Sequence, residues 1–509
     1  MVSLLVDGKE RLVQEGAALQ DVLPGWDRSC HVAVIRPGAR ESSVTGSIRL
    51  ITSAGEVVAE LLPGGRELFQ SPELQMPLPV HWHDRYAVAF GPFPSQFVPA
   101  RKPYQYERGD LILGCGGYDP GRSYLIFSRV RHTADHGAAA GGGVIGKIVT
   151  GRGLIDRWAS GDQVMQALPV VNWADTSRSF TTDDGTIPLE DGMEIVTHVR
   201  ITAHGYSAGR VQTTEAADTV EHLLLALSGD RFVVGRASST FIQDERAGGT
   251  EVPFEVKSPR RDGFVTVRTR GKSVGTIYIY TQDLPSSPSH TLVGQVTHGI
   301  ELARLARAGE TLRVAVEPAR FDLVGLFLHE AQEIAARRGI SVSWRGEGRD
   351  LVVVGQEPGT TLESLASGSV TLDTVPLERV IDITLDDADA PASCEIFRRL
   401  TGLHRHRVGR IPFFFKFEDV FLFKPSIPRG INIHPENLPA DVVSPGTLAI
   451  TNDSRKGAGL VGVRTSENSE FGPTSEPFEG TNLIGRVVDL EKLHNLKENE
   501  IAFIREVNP

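Results

Sequence analysis

Short runs in which apolar and polar residues alternate, the period of a half-buried strand, recur along the chain between turns rich in Gly, Pro and Asp. The fullest pattern lies near the C-terminus. VIDITL (380–385) predicts a strand, and an acidic turn, Asp386-Asp387-Ala388-Asp389, follows it. In APASCEIFRRLTGL, Cys394, Phe397 and Leu400 fall three or four apart on one helical face, with Pro391 suited to the first turn and Gly402 to the stop. Next come an aromatic run, PFFFKFEDVFLF (412–423), then PGTLAIT (445–451), LVGVR (460–464) and NLIGRVVDL (482–490). The same order occurs upstream: an alternating run at 196–201, a helical stripe of Val220, Leu223, Leu224 and Leu227, then GFVTV, GTIYIYTQ and HTLVGQVTHGIEL (290–302). A fainter version starts at SIRLITSAGEVVAEL (47–61) and closes with GGVIGKIVTGRGLI. The three closing lines, VIGKIV, LVGQVT and LIGRVV, centre on Gly146, Gly294 and Gly485. A glycine inside a strand pattern predicts a bulge or a close backbone approach. Units repeating at more than about a hundred residues predict tandem domains, not a solenoid.

Strand, helix, aromatic hairpin, P-G-x-L-x-x-x-N (Pro445, Gly446, Leu448, Asn452) and a closing V-x-G-x-V together resemble a cyclophilin. The resulting expectation is a multidomain, β-rich α+β protein. Residues 1–45 read as a ubiquitin-like β-grasp module: Asp7-Gly8 is a hairpin signal, Leu19, Val22 and Leu23 give a short helical face, and HVAVI (31–35) returns as a strand. Three cyclophilin-like β-barrel domains follow, a degenerate one at 46–165, a second at 188–320 and a third at 373–509, with a small α/β insertion at 321–372. In the insertion, Asp322 is expected to cap a helix whose stripe is Val324, Phe327, Leu328, Ala331 and Ala335. Arg337 and Arg338 suit its negative end and Gly339 its stop.

A cyclophilin lowers a barrier of about 18–20 kcal/mol to rotation about an X-Pro bond by favouring the twisted amide over the planar one. The resemblance implies an arginine, an aromatic, a glutamine and a histidine around an apolar pocket. In the second barrel domain His290 fits the histidine, Phe241 and Gln243 lie near the aromatic and glutamine, and Arg236 is the nearest arginine. In the third, Lys416 stands at the arginine, where an ammonium cannot reproduce a planar fork. Phe421 matches the aromatic, Lys424 falls near the glutamine, and Thr481 replaces the histidine. In the first, Gly142 takes the histidine position. Degenerate isomerase folds used as scaffolds, without catalytic residues, are the expectation; isomerase activity in the second domain, or a folding chaperone, is the alternative.

Charge and cysteine content narrow the setting. A formal charge of -11 over 509 residues argues against a nucleic-acid partner. No run nears twenty apolar residues, and MVSLLVDGKE lacks the order of a signal peptide. Three cysteines without close spacing predict no disulfide framework and a reducing, cytoplasmic setting. His81 with His83 and His132 with His136 lack a third ligand by spacing, so polar loop roles are expected. Residues 141–147 read G-x-x-x-x-G-K, but Ile148 follows where a magnesium-binding hydroxyl belongs, so a strand is expected there.

The opening VSLLVDGKE, with EAADTVEHL and DDADAPASCEIFRRLTGL, resembles the methanogenesis marker protein 3 family. That resemblance implies an accessory subunit of the ATP-dependent machinery that activates methyl-coenzyme M reductase. Its partners would be other methanogenesis marker proteins, the reductase and its associated ATPase. No catalytic residues carry over, and no cofactor is expected on this chain alone. Because that machinery is associated with iron-sulfur clusters, Cys30 and Cys115 are candidates for single thiolates of a cluster shared between subunits, whereas Cys394 lies on a core stripe.

Overall fold

The computed structural model describes residues 1–36, 47–169, 179–428, 431–437, 442–454 and 458–508. The expected boundary at 45/46 lies outside the described residues. The chain forms two compact units, Met1–Arg320 and Phe321–Pro509.

In the first unit, Val2–Val6 turns at Asp7 and Gly8 (φ 48° and 74°) into Lys9–Val13. Asparagine, aspartate and glycine tolerate this left-handed region best. The N-terminal sheet has the order Phe180–Thr182, Val32–Ile35, Glu194–Val196, Val2–Val6, Lys9–Val13. Two of its five strands therefore return from beyond the first barrel. The module expected at 1–45 is completed only by residues 180–196, because Val32–Ile35 is buried along its whole length and its edges need partners.

The first barrel is closed by eight strands and filled by Phe90, Phe127 and Trp158 among others. Trp158 meets the two phenylalanine rings edge-on at 5.0 and 4.9 Å.

The middle sheet also has eight strands. Its two end strands, Arg231–Val233 and Arg236–Ala237, are halves of one segment broken at Val234-Gly235. The first half pairs with Thr311–Glu317 and the second with Phe241–Asp244.

In the second unit, a three-stranded sheet (Ser341–Arg345, Ser369–Pro376, Leu351–Glu357) carries the helix Leu328–Arg337. That helix starts five residues later than expected. Gly325 (φ 91°) and Leu326 exchange backbone hydrogen bonds with Val353 instead, so Asp322 is no cap and lies 3.0 Å from His406 Nδ1. Glu330 accepts the Phe327 amide in its place. The C-terminal barrel closes with seven strands, and one long strand, Val408–Phe417, spans the gap that the middle sheet breaks. Pro391 opens the helix Pro391–Thr401 and Gly402 (φ 84°) ends it, with Cys394 and Phe397 buried.

All three closing glycines sit where the ladder slips by a residue. A Cβ would lie 2.7 Å from the Glu60 carbonyl oxygen at Gly146 and 2.9 Å from that of Thr202 at Gly294; at Gly485 (φ 153°) it would collide with that of Thr384. The helices Ala217–Ala226 and Pro391–Thr401 share a further device. Carboxylates of Glu255 and Glu436, each from a later loop, accept their first amides, at Asp218 and Thr219 and at Ala392 and Ser393.

Candidate active-site face of the middle sheet

Alternation along the middle strands sends Ile242, Val265, Val267, Ile277 and Ile279 inward, where they are buried. The intervening residues line the other face. Directly opposed residues share a face, and the pairs Arg236 with Gln243, Gln243 with Tyr278, and Tyr278 with Thr266 run in sequence across it. Phe241 opposes Tyr280, and Arg268 opposes His290. The sequence candidates His290, Arg236, Phe241 and Gln243 therefore meet on one face. Tyr278, Tyr280, Thr266 and Arg260 join them without having been singled out; the alternating tyrosines of IYIY were the available signal.

The geometry is that of a filled face. The Tyr278 ring lies edge-on to His290 at 4.8 Å and to Phe241 at 5.2 Å. His290 Nδ1 is 3.0 Å from Thr266 Oγ1 and 3.4 Å from the Tyr280 hydroxyl. Arg260 donates to that hydroxyl at 3.3 Å and packs over the ring. Gln243 donates to Glu245. Burial, with Arg260 and Arg268 nearby, pushes His290 down to about 4, so it is neutral near pH 7. Gln243, Tyr278, Tyr280 and His290 are 5%, 5%, 1% and 6% exposed, whereas Phe241, Arg260 and Arg268 are half-buried and Arg236 is exposed.

The equivalent face of the C-terminal barrel is different again. Phe421 alternates with Phe423 into the core, beside His494, so it is not a groove aromatic, and a register slip between Phe413 and Phe415 sets Lys416 opposite it. Lys416 is exposed with its ammonium 5.0 Å from that ring, and Lys424 stands over Phe414. Thr481 is buried and bonded to Thr474 at 3.0 Å. In the first barrel, Gly142 (φ 87°) lies under Tyr104. Lys147 projects to solvent from the strand Val144–Thr150 while Ile148 is core, which is incompatible with a phosphate loop.

The remaining candidates are spread through the chain. His81 stacks on Tyr124 and His83 is exposed. His132 and His136 face each other, Nε2 to Nε2, at 3.1 Å, and burial with that neighbour pushes His136 down to about 4. Cys30, Cys115 and Cys394 are all buried and free. The Cys115 thiol points at the Gly137 carbonyl at 3.2 Å, and burial raises its pKa. Burial likewise pushes Cys394 up to about 12.

Residues 381–507 match a protein-family model described as "Putative peptidyl-prolyl cis-trans isomerase domain". Over 99% of its length the chain is 34% identical to a UPF0288 protein of Methanosarcina barkeri, covering 98% of that protein. It is 31% identical to a UPF0288 protein of Methanothermobacter thermautotrophicus over 98% of this chain and 97% of the relative. The chain belongs to the UPF0288 family. A cyclophilin of Hirschia baltica with a solved structure aligns with 29% of this UPF0288 chain and 83% of its own at 12% identity. The TM-score of that alignment is 0.20. The isomerase-type match thus falls on the closed barrel that lacks the histidine and the arginine, whereas the residues that gather as such a site sit on the middle sheet, an open half-barrel where a third closed barrel was expected. Among the described residues of the UPF0288 chain, no helix is long and apolar enough to cross a membrane.

Proposed function

We propose that this UPF0288 chain is a non-catalytic accessory subunit of the ATP-dependent complex that activates methyl-coenzyme M reductase, as its resemblance to the methanogenesis marker protein 3 family implies. The observation that supports the non-catalytic part is the burial of the candidate face of the middle sheet, where Tyr278 and Tyr280 are 5% and 1% exposed. Relatives of nearly equal length in methanogens support the setting. The barrels then serve as rigid surfaces for partners, since a stable interface takes on the order of 1,200–2,000 Å² of total surface. The test is capture of the tagged full-length chain from a methanogen extract followed by mass spectrometry. Reductase subunits and an associated ATPase are the expected companions; a chain that elutes alone contradicts the reading. A second reading, prolyl isomerisation by the middle sheet, is favoured by one observation: Arg236 opposes Gln243 in register, on the face that carries His290.

A further inference from the structure

Asp7, Glu56 and His298 come from the N-terminal sheet, the first barrel and the middle sheet of the first compact unit, yet their side chains meet. Asp7, in the left-handed turn position, accepts the Thr197 amide at 2.8 Å and its hydroxyl at 2.6 Å. These bonds aim its carboxylate at His198, whose Nδ1 is 3.7 Å from Asp7 Oδ2. His298 ends the strand His290–His298. Its Nε2 lies 3.2 Å from Asp7 Oδ1 and its Nδ1 3.1 Å from Glu56 Oε1. The two imidazoles lie 4.9 Å apart, tilted by 41°. Gly299 (φ 79°) secures the approach, because a Cβ there would run into the His198 carbonyl.

We propose that Asp7, His198 and His298 bind a divalent transition-metal ion, with Glu56 accepting from His298 Nδ1 and so aiming its Nε2 at the ion. One donor atom from each of the three residues lies within 4.8 Å of the others. Bonds of about 2.0–2.2 Å from two imidazoles and a carboxylate need only small rotations from there. Two nitrogen donors select zinc, cobalt, nickel or ferrous ions over magnesium or calcium, which take oxygen ligands. The donors also face open space: Asp7, His198 and His298, with Glu56, line a cavity of about 500 Å³. The ion therefore keeps a coordination position for water or an exchangeable ligand, as an all-protein structural site does not. Arg49 is bonded to Glu194 at 3.0 Å and lies 3.8 Å from Glu56. It offsets part of the carboxylate charge and leaves Asp7 for the metal.

The test uses the full-length chain, stripped with EDTA and titrated with cobalt(II) and then zinc(II). One cobalt per chain is expected, with a visible ligand-field spectrum that zinc abolishes. The His198→Gln and Asp7→Asn variants should each lose more than about tenfold in affinity, and the exposed His83→Ala should lose nothing. Zinc should raise the melting temperature of the unmodified chain but not of His198→Gln, a readout that holds if a variant folds less well. Absence of stoichiometric cobalt binding, or equal binding by His198→Gln, overturns the site and leaves Asp7, His298 and Glu56 as an ionic contact between modules.

Discussion

The middle sheet and the C-terminal barrel run the same circular order of strands, but they spend their outer faces differently. In the middle sheet an arginine, a glutamine, three aromatics and a histidine converge and are then sealed by their own packing. In the C-terminal barrel the histidine position is a buried threonine and the aromatic has turned into the core. What both keep is the frame, namely the glycine at the bulge and the distant glutamate on the helix N-terminus. The frame answers to backbone sterics and to unpaired amides, which any sequence on this fold must satisfy. The outer face answers only to what it binds, so it is free to change.

The largest expected effect breaks that shared frame at unequal cost. Gly485→Ala meets a carbonyl and a left-handed φ together and should cost about 3 kcal/mol or more in denaturant unfolding of its barrel. Gly294→Ala meets a carbonyl at 2.9 Å without the φ penalty and should cost distinctly less. Equal losses would mean that the two bulges are not the different fits they look.

Next in size is a pH effect confined to the middle sheet. His290 falls from 6.5 to about 4 on folding. Its neutral form is the one held, so the unfolded chain takes up the proton first. The contribution is complete above pH 6.5 and is lost as pH falls toward 4, by about 2 kcal/mol between pH 7 and pH 5. Unfolding curves of the chain and of His290→Phe at those two pH values should differ in slope by that amount. Parallel losses would assign the acid sensitivity elsewhere, His136 being the next group to try.

The smallest effect compares the caps. Glu255→Gln and Glu436→Gln should each cost about 1 kcal/mol, read by unfolding of the respective barrel. A cost at one helix alone would show that the two are not the same device.

Much of this frame was legible in the sequence, because its signals are local. Pro391 and Gly402 mark the ends of one helix, Asp7-Gly8 marks a turn, and the three strand glycines mark bulges. The start of the helix at Leu328 was hidden because Gly325 and Leu326 bond to Val353, a partner that no local pattern names. The N-terminal sheet was misjudged in extent because its missing strands are three residues long and return only after the first barrel. The face around His290 was half visible: Phe241 and Gln243 were found by resemblance, whereas Tyr278 and Tyr280 read only as strand. Asp7 and His298 lie 291 positions apart, beyond the reach of any spacing rule, and they meet only because three modules pack together.

If the barrel survives here as a frame and not as a catalyst, as proposed, the chain does not speed rotation about an X-Pro bond. A protease-coupled prolyl-peptide assay on the full-length chain tests it most directly. No rate above the uncatalysed one is expected, and none to lose in His290→Ala or Arg236→Ala. Turnover that both substitutions abolish would contradict it.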